Sequence, residues 1–291
     1  DISSNTFKDN GNHMNLENPS GFTIVDNTFS NSAGSQIAIG VAVDPTDLEQ
    51  ELGLTGNTFA DDGKTVISIW PYGPSGQVVH GTDENDRFNG NDTPRSFEGR
   101  GGDDTIVGGN GLDTAIYSDT ITASDIVYNA GAGTFTVTTQ TEGTDTLQGV
   151  ENIQHGNGTF SLIAGSDTID GTENADIIFG SADSDTIYAK GGDDAVFAGA
   201  GADTIVAGSG GGNDYYDGGS DGDTITFVST TNGVTVDLRA LDRSGSTPLA
   251  DAIEGVLAAN GYATNTAVGY ATGAEIGTDV IVNVENVTGG S

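Results

Sequence analysis

The stretch "GTENADIIFGSADSDTIYAKGGDDAVFAGAGADTIV", residues 171–206, divides without remainder into units of nine. Every unit has Asp at its sixth place (Asp176, Asp185, Asp194, Asp203) and an aliphatic residue at its eighth (Ile178, Ile187, Val196, Ile205). Upstream, "LIAGSDTID" (162–170) keeps the phase with Asp167 and Ile169. Downstream, "AGSGGGNDYYD" (207–217) keeps it after two inserted residues, giving Asp214 and Tyr216, and "GGSDGDTIT" (218–226) adds Asp223 and Ile225. An earlier array starts at Gly81: "GTDENDRFN", "GNDTPRSFE", "GRGGDDTIV", "GGNGLDTAI". Its sixth places are Asp86, Arg95, Asp104 and Asp113.

A nine-residue period with glycine at the front and one inward aliphatic near the end predicts a turn of six residues and a strand of three. Glycine tolerates the positive φ that such a turn demands. Two units close one coil, so units 18 residues apart stack on the same edge. Asp167, Asp185, Asp203 and Asp223 then line one edge, and Asp176, Asp194 and Asp214 the other. Carboxylates stacked at a strand spacing of about 4.8 Å repel one another. A hard divalent cation between successive turns removes that repulsion, and oxygen-only ligands with flexible geometry favour calcium over magnesium or a transition metal. One aliphatic per unit buries too little surface to offset the ordering of nine residues. Metal binding and folding are therefore expected to be one event. Arg95 breaks its row, and its charge is expected to pair with a neighbouring Asp in place of an ion.

These arrays resemble the RTX, or haemolysin-type, calcium-binding nonapeptide repeat, G-G-x-G-x-D-x-U-x. The resemblance covers 81–116 and 162–226 and implies parallel β-rolls holding several calcium ions. Asp86, Asp104, Asp113, Asp167, Asp176, Asp185, Asp194, Asp203, Asp214 and Asp223 are the expected metal ligands. It also implies export from a Gram-negative cell by type I secretion, with folding on contact with external calcium. The expected location is extracellular or at the cell surface.

Residues 1–76 repeat more loosely. Asn5-Thr6-Phe7 returns as Asn27-Thr28-Phe29 and as Asn57-Thr58-Phe59, with "QIAIGVAV" (36–43) and "TVISIW" (65–70) alternating like half-buried strands between them. This predicts coils of a right-handed parallel β-helix, with Asn stacked at the turns and Phe inside. The opening reads as a repeat already under way, so the chain is expected to be a segment of a longer protein.

After each array comes non-repeating sequence with a shared ending. "GTDTLQGVENI" (143–153) and "GTDVIVNVENV" (277–287) align without gaps and are expected to be caps, a strand pair closing each roll. "DIVYN" and "TFTVTT" read as strands around Gly131 and Gly133, and "GVTVDL" (233–238) as another. "TPLADAIEGVLAANG" (247–261) reads as a short helix with Thr247 as N-cap, Pro248 first and Gly261 as terminator. The fold class is thus all-β: the C-terminal coils of a parallel β-helix, then two calcium-binding β-rolls with β-rich caps. Expected domains are 1–76, 77–161 and 162–291, the last containing the helix.

Composition narrows the partners. Asp and Glu number 43 against 8 Lys and Arg, a formal charge of −35, which excludes a basic face for nucleic acid or an anionic membrane. With no Cys there is no disulfide framework and no thiolate site. No apolar run has the length of a membrane span, so membrane insertion is not expected. The three His (His13, His80, His155) form no readable catalytic or zinc pattern. Lys8, Asp9, His13 and Glu17 are the only cluster of catalytic type on the predicted β-helix. The layout is similar to mannuronan C5-epimerases, which join a β-helix to RTX modules, but their Asp-Pro-His stretch is absent and Asp44-Pro45-Thr46 lacks the His. Three functions are expected to compete: a calcium-dependent folding and display module, part of an enzyme acting on an acidic polysaccharide, and a calcium-bridged adhesin or surface-layer piece. Oligomeric state stays open.

Overall fold

The structure is a computed structural model. It describes the backbone of eight strands within residues 1–77, and then 78–83, 85–156, 158–208, 212–227, 232–239, 248–261 and 268–289. Among the described residues the chain is nearly all β, a parallel β-solenoid with one short α-helix. It divides into two units, residues 1–121 with 131–158, and residues 122–130 with 159–291.

In the first unit the loose repeats stack in parallel. Thr6–Lys8, Thr28–Ser30 and Thr58–Phe59 align Phe7 with Phe29 and Phe29 with Phe59. Met14–Glu17, Ile37–Val41 and Ile67–Pro71 stack in the same way, and the last pairs with Asp86–Asn89 of the first nonad. The solenoid backbone therefore runs in register from the early repeats into the nonads. The expected Asn stacking, the Phe filling and the Lys8, Asp9, His13, Glu17 cluster lie outside the described residues and side chains.

Within the nonads the strands are three or four residues long because the repeat leaves no more chain outside its turn. Asp86–Asn89, Thr105–Val107 and Thr144–Gln148 form one wall, and Val78–His80, Ser96–Glu98, Thr114–Ile116 and Asn152–His155 the other. Eighth-place side chains meet inside: Phe88, Ile106 and Leu147 from one wall, Phe97, Ala115 and Ile153 from the other, all buried. Phe88 and Phe97 touch edge to face at 5.6 Å between ring centres.

The second unit repeats this plan. Thr168–Asp170, Thr186–Tyr188, Thr204–Val206, Thr224–Thr226 and Asn286–Thr288 make one wall. Gly158–Ala164, Asp176–Phe179, Ala195–Phe197, Tyr215–Asp217 and Gly277–Val282 make the other. The insertion does not disturb the register, since Ala195 pairs with Tyr215 and Thr204 with Thr224.

The two walls differ outside. One carries Thr at its seventh places; the other carries Ile177, Ala195 and Tyr215, with Phe179 and Phe197 stacked at 5.1 Å. α1 (Pro248–Ala259) covers the Tyr215 end of this apolar outer face, where its Ile253, Val256 and Leu257 pack with Tyr215 and Val280, and Tyr128 lies against Phe179 with ring centres 6.0 Å apart. The second unit thus has a second core outside the coil. The helix begins at Pro248 as read from the sequence, and Gly261, two residues past its end, takes φ +80°, while the strand expected at 233–238 is confined to Thr235–Asp237. The expected N-cap, Thr247, lies outside the described residues.

Candidate metal centre

Most turns begin with a glycine or alanine, with Gly81, Gly90, Gly108, Gly171, Gly180 and Gly218 set against a carbonyl of the next coil, and all but the Arg95 turn end at a sixth-place Asp. All these carboxylates except Asp167 are buried. They are linked in two ladders per unit. The main-chain N–H of each sixth-place residue donates to the carboxylate of its counterpart one coil on. Asp167 donates to Asp185 (2.6 Å), Asp185 to Asp203 (2.8 Å) and Asp203 to Asp223 (2.8 Å). On the other edge Asp176 donates to Asp194 (3.0 Å) and Asp194 to Asp214 (2.9 Å). In the first unit Asp86 donates to Asp104 (2.7 Å), and Arg95 to Asp113 (2.8 Å). The rows read from the sequence are therefore brought together as rows.

What happens to the second carboxylate oxygen depends on the residue four places earlier. Where that residue is Ser or Thr, its own N–H and hydroxyl close the carboxylate. Thr172 does so for Asp176 (2.5 and 2.9 Å) and Ser181 for Asp185 (2.7 and 3.0 Å), while Thr82 closes only Oδ2 of Asp86 (2.6 and 3.0 Å) and leaves its buried Oδ1 without a hydrogen bond. In five other turns the second residue is Arg100, Gly109, Lys190, Gly199 or Gly219, and every one of them has positive φ, between 72° and 119°. That rotation carries the N–H away. In those five turns Oδ2 of Asp104, Asp113, Asp194, Asp203 and Asp223 is buried with no hydrogen-bond partner in the structure. Asp214 is a third case: its Oδ2 accepts the buried Tyr216 hydroxyl at 2.7 Å.

Burial makes these groups poor anions on their own. Burial first, and then the Asp214 charge, push Asp194 up to about 9. Burial lifts Asp203 to about 6 and also raises Asp104, Asp113, Asp214 and Asp223. Arg95, itself buried, works against that rise at Asp113, through the main-chain bond and through its charge. Among the described residues no three His, Cys, Asp or Glu side chains converge on one point. An ion in these turns would therefore have to combine one or two carboxylates with main-chain carbonyls. Buried open oxygens of this kind, beside glycine turns, suit a hard cation.

The family model that matches the chain falls on these turns. It is the RTX calcium-binding nonapeptide repeat, matched in four copies at residues 80–115, 163–196, 179–211 and 191–225. The chain carries RTX repeats. No curated protein matches it. Among solved structures, the extracellular lipase LipA from Serratia marcescens is similar at 14% identity with a TM-score of 0.16. That alignment covers 75% of this chain, which spans only 38% of the lipase's length. RTX repeats bind calcium as a class and are typical of secreted proteins. No helix among the described residues is long and apolar enough to cross a membrane.

The RTX matches stop short of four further carboxylates that the ladders include. Asp104 donates to Asp145 (2.8 Å), Asp113 to Glu151 (2.8 Å), Asp214 to Asp279 (3.3 Å) and Asp223 to Glu285 (2.8 Å). These lie in the two segments expected to be caps. The strand pairs there form the last coil of each roll, parallel and in register with the RTX strands. Antiparallel strands Thr134–Thr138 and Gly269–Gly273 then lie against them. The signal was present in "TDTL" (144–147), which matches "DDTI" (103–106), but it is hidden from a search at a period of nine.

Proposed function

We propose that this chain is a secreted calcium-binding segment whose two RTX rolls fold when they meet extracellular calcium, as a folding, display or structural module of a larger extracellular protein. The observation that supports this most is the set of buried carboxylate oxygens left open where the turn's second residue takes positive φ. Asp104, Asp113, Asp194, Asp203 and Asp223 are the residues whose atoms fit an ion best. Asp176 and Asp185 are closed by their own Thr or Ser, Asp86 keeps one open oxygen, and the exposed Asp167 begins its row. Asp214 shares its carboxylate with Tyr216. When bound, calcium supplies two positive charges between turns that otherwise repel.

In the calcium-free cytosol the same carboxylates would oppose the coil and keep the chain extended. The test is far-ultraviolet circular dichroism of the full chain during a calcium titration from a chelated start. A cooperative gain of strand signal is expected, reversed by EGTA. Full strand signal in the chelated sample would refute the coupling of folding to calcium.

A further inference from the structure

The two capping segments divide into consecutive units of six: 143–148 (GTDTLQ) and 149–154 (GVENIQ), then 277–282 (GTDVIV) and 283–288 (NVENVT). Each is the last two-thirds of a nonad. The first residue of each takes positive φ (Gly143 96°, Gly149 58°, Gly277 69°, Asn283 52°). Gly102, Gly192 and Gly201 do the same at the fourth place of complete nonads (106°, 118°, 109°). The third residue is the ladder carboxylate. The next N–H returns to the main chain of the previous coil: Thr146 to Asp104 (2.8 Å), Asn152 to Asp113 (3.0 Å), Val280 to Asp214 (2.8 Å) and Asn286 to Asp223 (2.9 Å).

The two Asp units are the deeply placed ones. Asp279 is 0% exposed and Asp145 1% exposed, and Oδ2 of Asp279 has no hydrogen-bond partner. Facing Asp145 across the coil step is Asp104, whose Oδ2 is also without one. Gly277 lies against the carbonyl of Gly212 in the preceding turn, as Gly143 lies against that of Gly102, close enough that a Cβ would meet the oxygen at 2.2 and 1.9 Å. A buried tyrosine stands at each step: Tyr216, bonded to Asp214, and Tyr117, beside Asp145.

We propose that each Gly-Thr-Asp capping unit is a truncated repeat that closes a terminal divalent-cation site, with Asp145 the added ligand in the first unit and Asp279 in the second. This rests on the calcium reading above and extends the ion array one turn beyond the recognisable nonads. The cap is then a metal-dependent lock on the last coil, and the antiparallel strands behind it dock only on a coil so held.

Equilibrium dialysis of the full chain with calcium-45 tests it, comparing the natural protein with Asp279→Asn and Asp145→Asn. Asn keeps an oxygen for the Asp214 or Asp104 N–H and removes only the charge. Each substitution is expected to lose one tightly bound ion per chain, and the pair to lose two. Unchanged stoichiometry in both would overturn the proposal while leaving the calcium reading standing, whereas a natural chain that binds none would sink that reading first. Terbium luminescence excited through tyrosine gives a second reading that needs no change of ligand. Tyr216→Phe is expected to lose the emission contributed by an ion one hydrogen bond from that phenol, and equal emission with and without Tyr216 would contradict an ion at Asp279.

Discussion

At the residue scale, the second place of eight nonads decides whether the turn's own N–H reaches its carboxylate. Thr82, Thr172 and Ser181 keep the turn's N–H on the Asp; Arg100, Lys190 and the glycines rotate it away. Left-handed backbone costs a non-glycine residue about 1–2 kcal/mol, so Lys190 (φ 72°) and Gly199 (φ 112°) are opposite cases of one constraint. Lys190 also makes only an exposed pair with Asp170 at 3.4 Å, worth about 0–1 kcal/mol. Lys190→Gly is expected to leave stability equal or raise it by about 0.5–1 kcal/mol. Gly199→Ala places a Cβ 2.1 Å from the Ser181 carbonyl at that φ and is expected to cost at least about 2 kcal/mol. Thermal melts in saturating calcium measure both, and a Gly199→Ala chain as stable as the natural one would show that the turn is not tightly seated.

At the element scale, the coil was legible because its period is a property of spacing. Asp at the sixth place and an aliphatic at the eighth determine turn length, strand length and register together, and the two-residue insertion before Asp214 passes through without disturbing them. Two features were not legible. The capping hexads lack the first three nonad residues, so spacing alone did not join Asp145, Glu151, Asp279 and Glu285 to the ladders. The apolar outer wall was also missed, since Ile177, Ala195 and Tyr215 occupy places where the partner wall has Thr, a difference visible only once alternate units are compared. That wall gives α1 its role. Leu257 is fully buried against it, and Leu257→Ala is expected to destabilise the second unit by about 2–5 kcal/mol. Hydrogen exchange should show the loss in α1 and in strand Tyr215–Asp217, with the strands of the first unit unchanged. Loss confined to α1 would mean that the helix covers the wall without supporting it.

At the scale of the whole molecule, a charge of −35 and buried carboxylates set opposite pH responses with and without metal. A carboxyl whose folded pKa lies above its ordinary value of 3.8 stabilises the metal-free fold only while protonated. That contribution is full below the ordinary value and is lost as pH rises, toward about 6 for Asp145 and Asp203 and about 9 for Asp194. The metal-free chain is therefore expected to show more strand signal near about pH 4 than near about pH 8. With calcium the trend reverses, because ions bind the ionised form. A metal-free chain more ordered at the higher pH would contradict the mutual repulsion assigned to the rows.

The most direct measurement is anomalous diffraction from crystals grown in calcium, read at the turns of Asp203 and Asp223. A bound calcium beside the carboxylate oxygens left open there is the result expected. Well-ordered turns with no cation, in a chain saturated with calcium, would contradict the claim that metal between turns is what lets this acidic coil hold together.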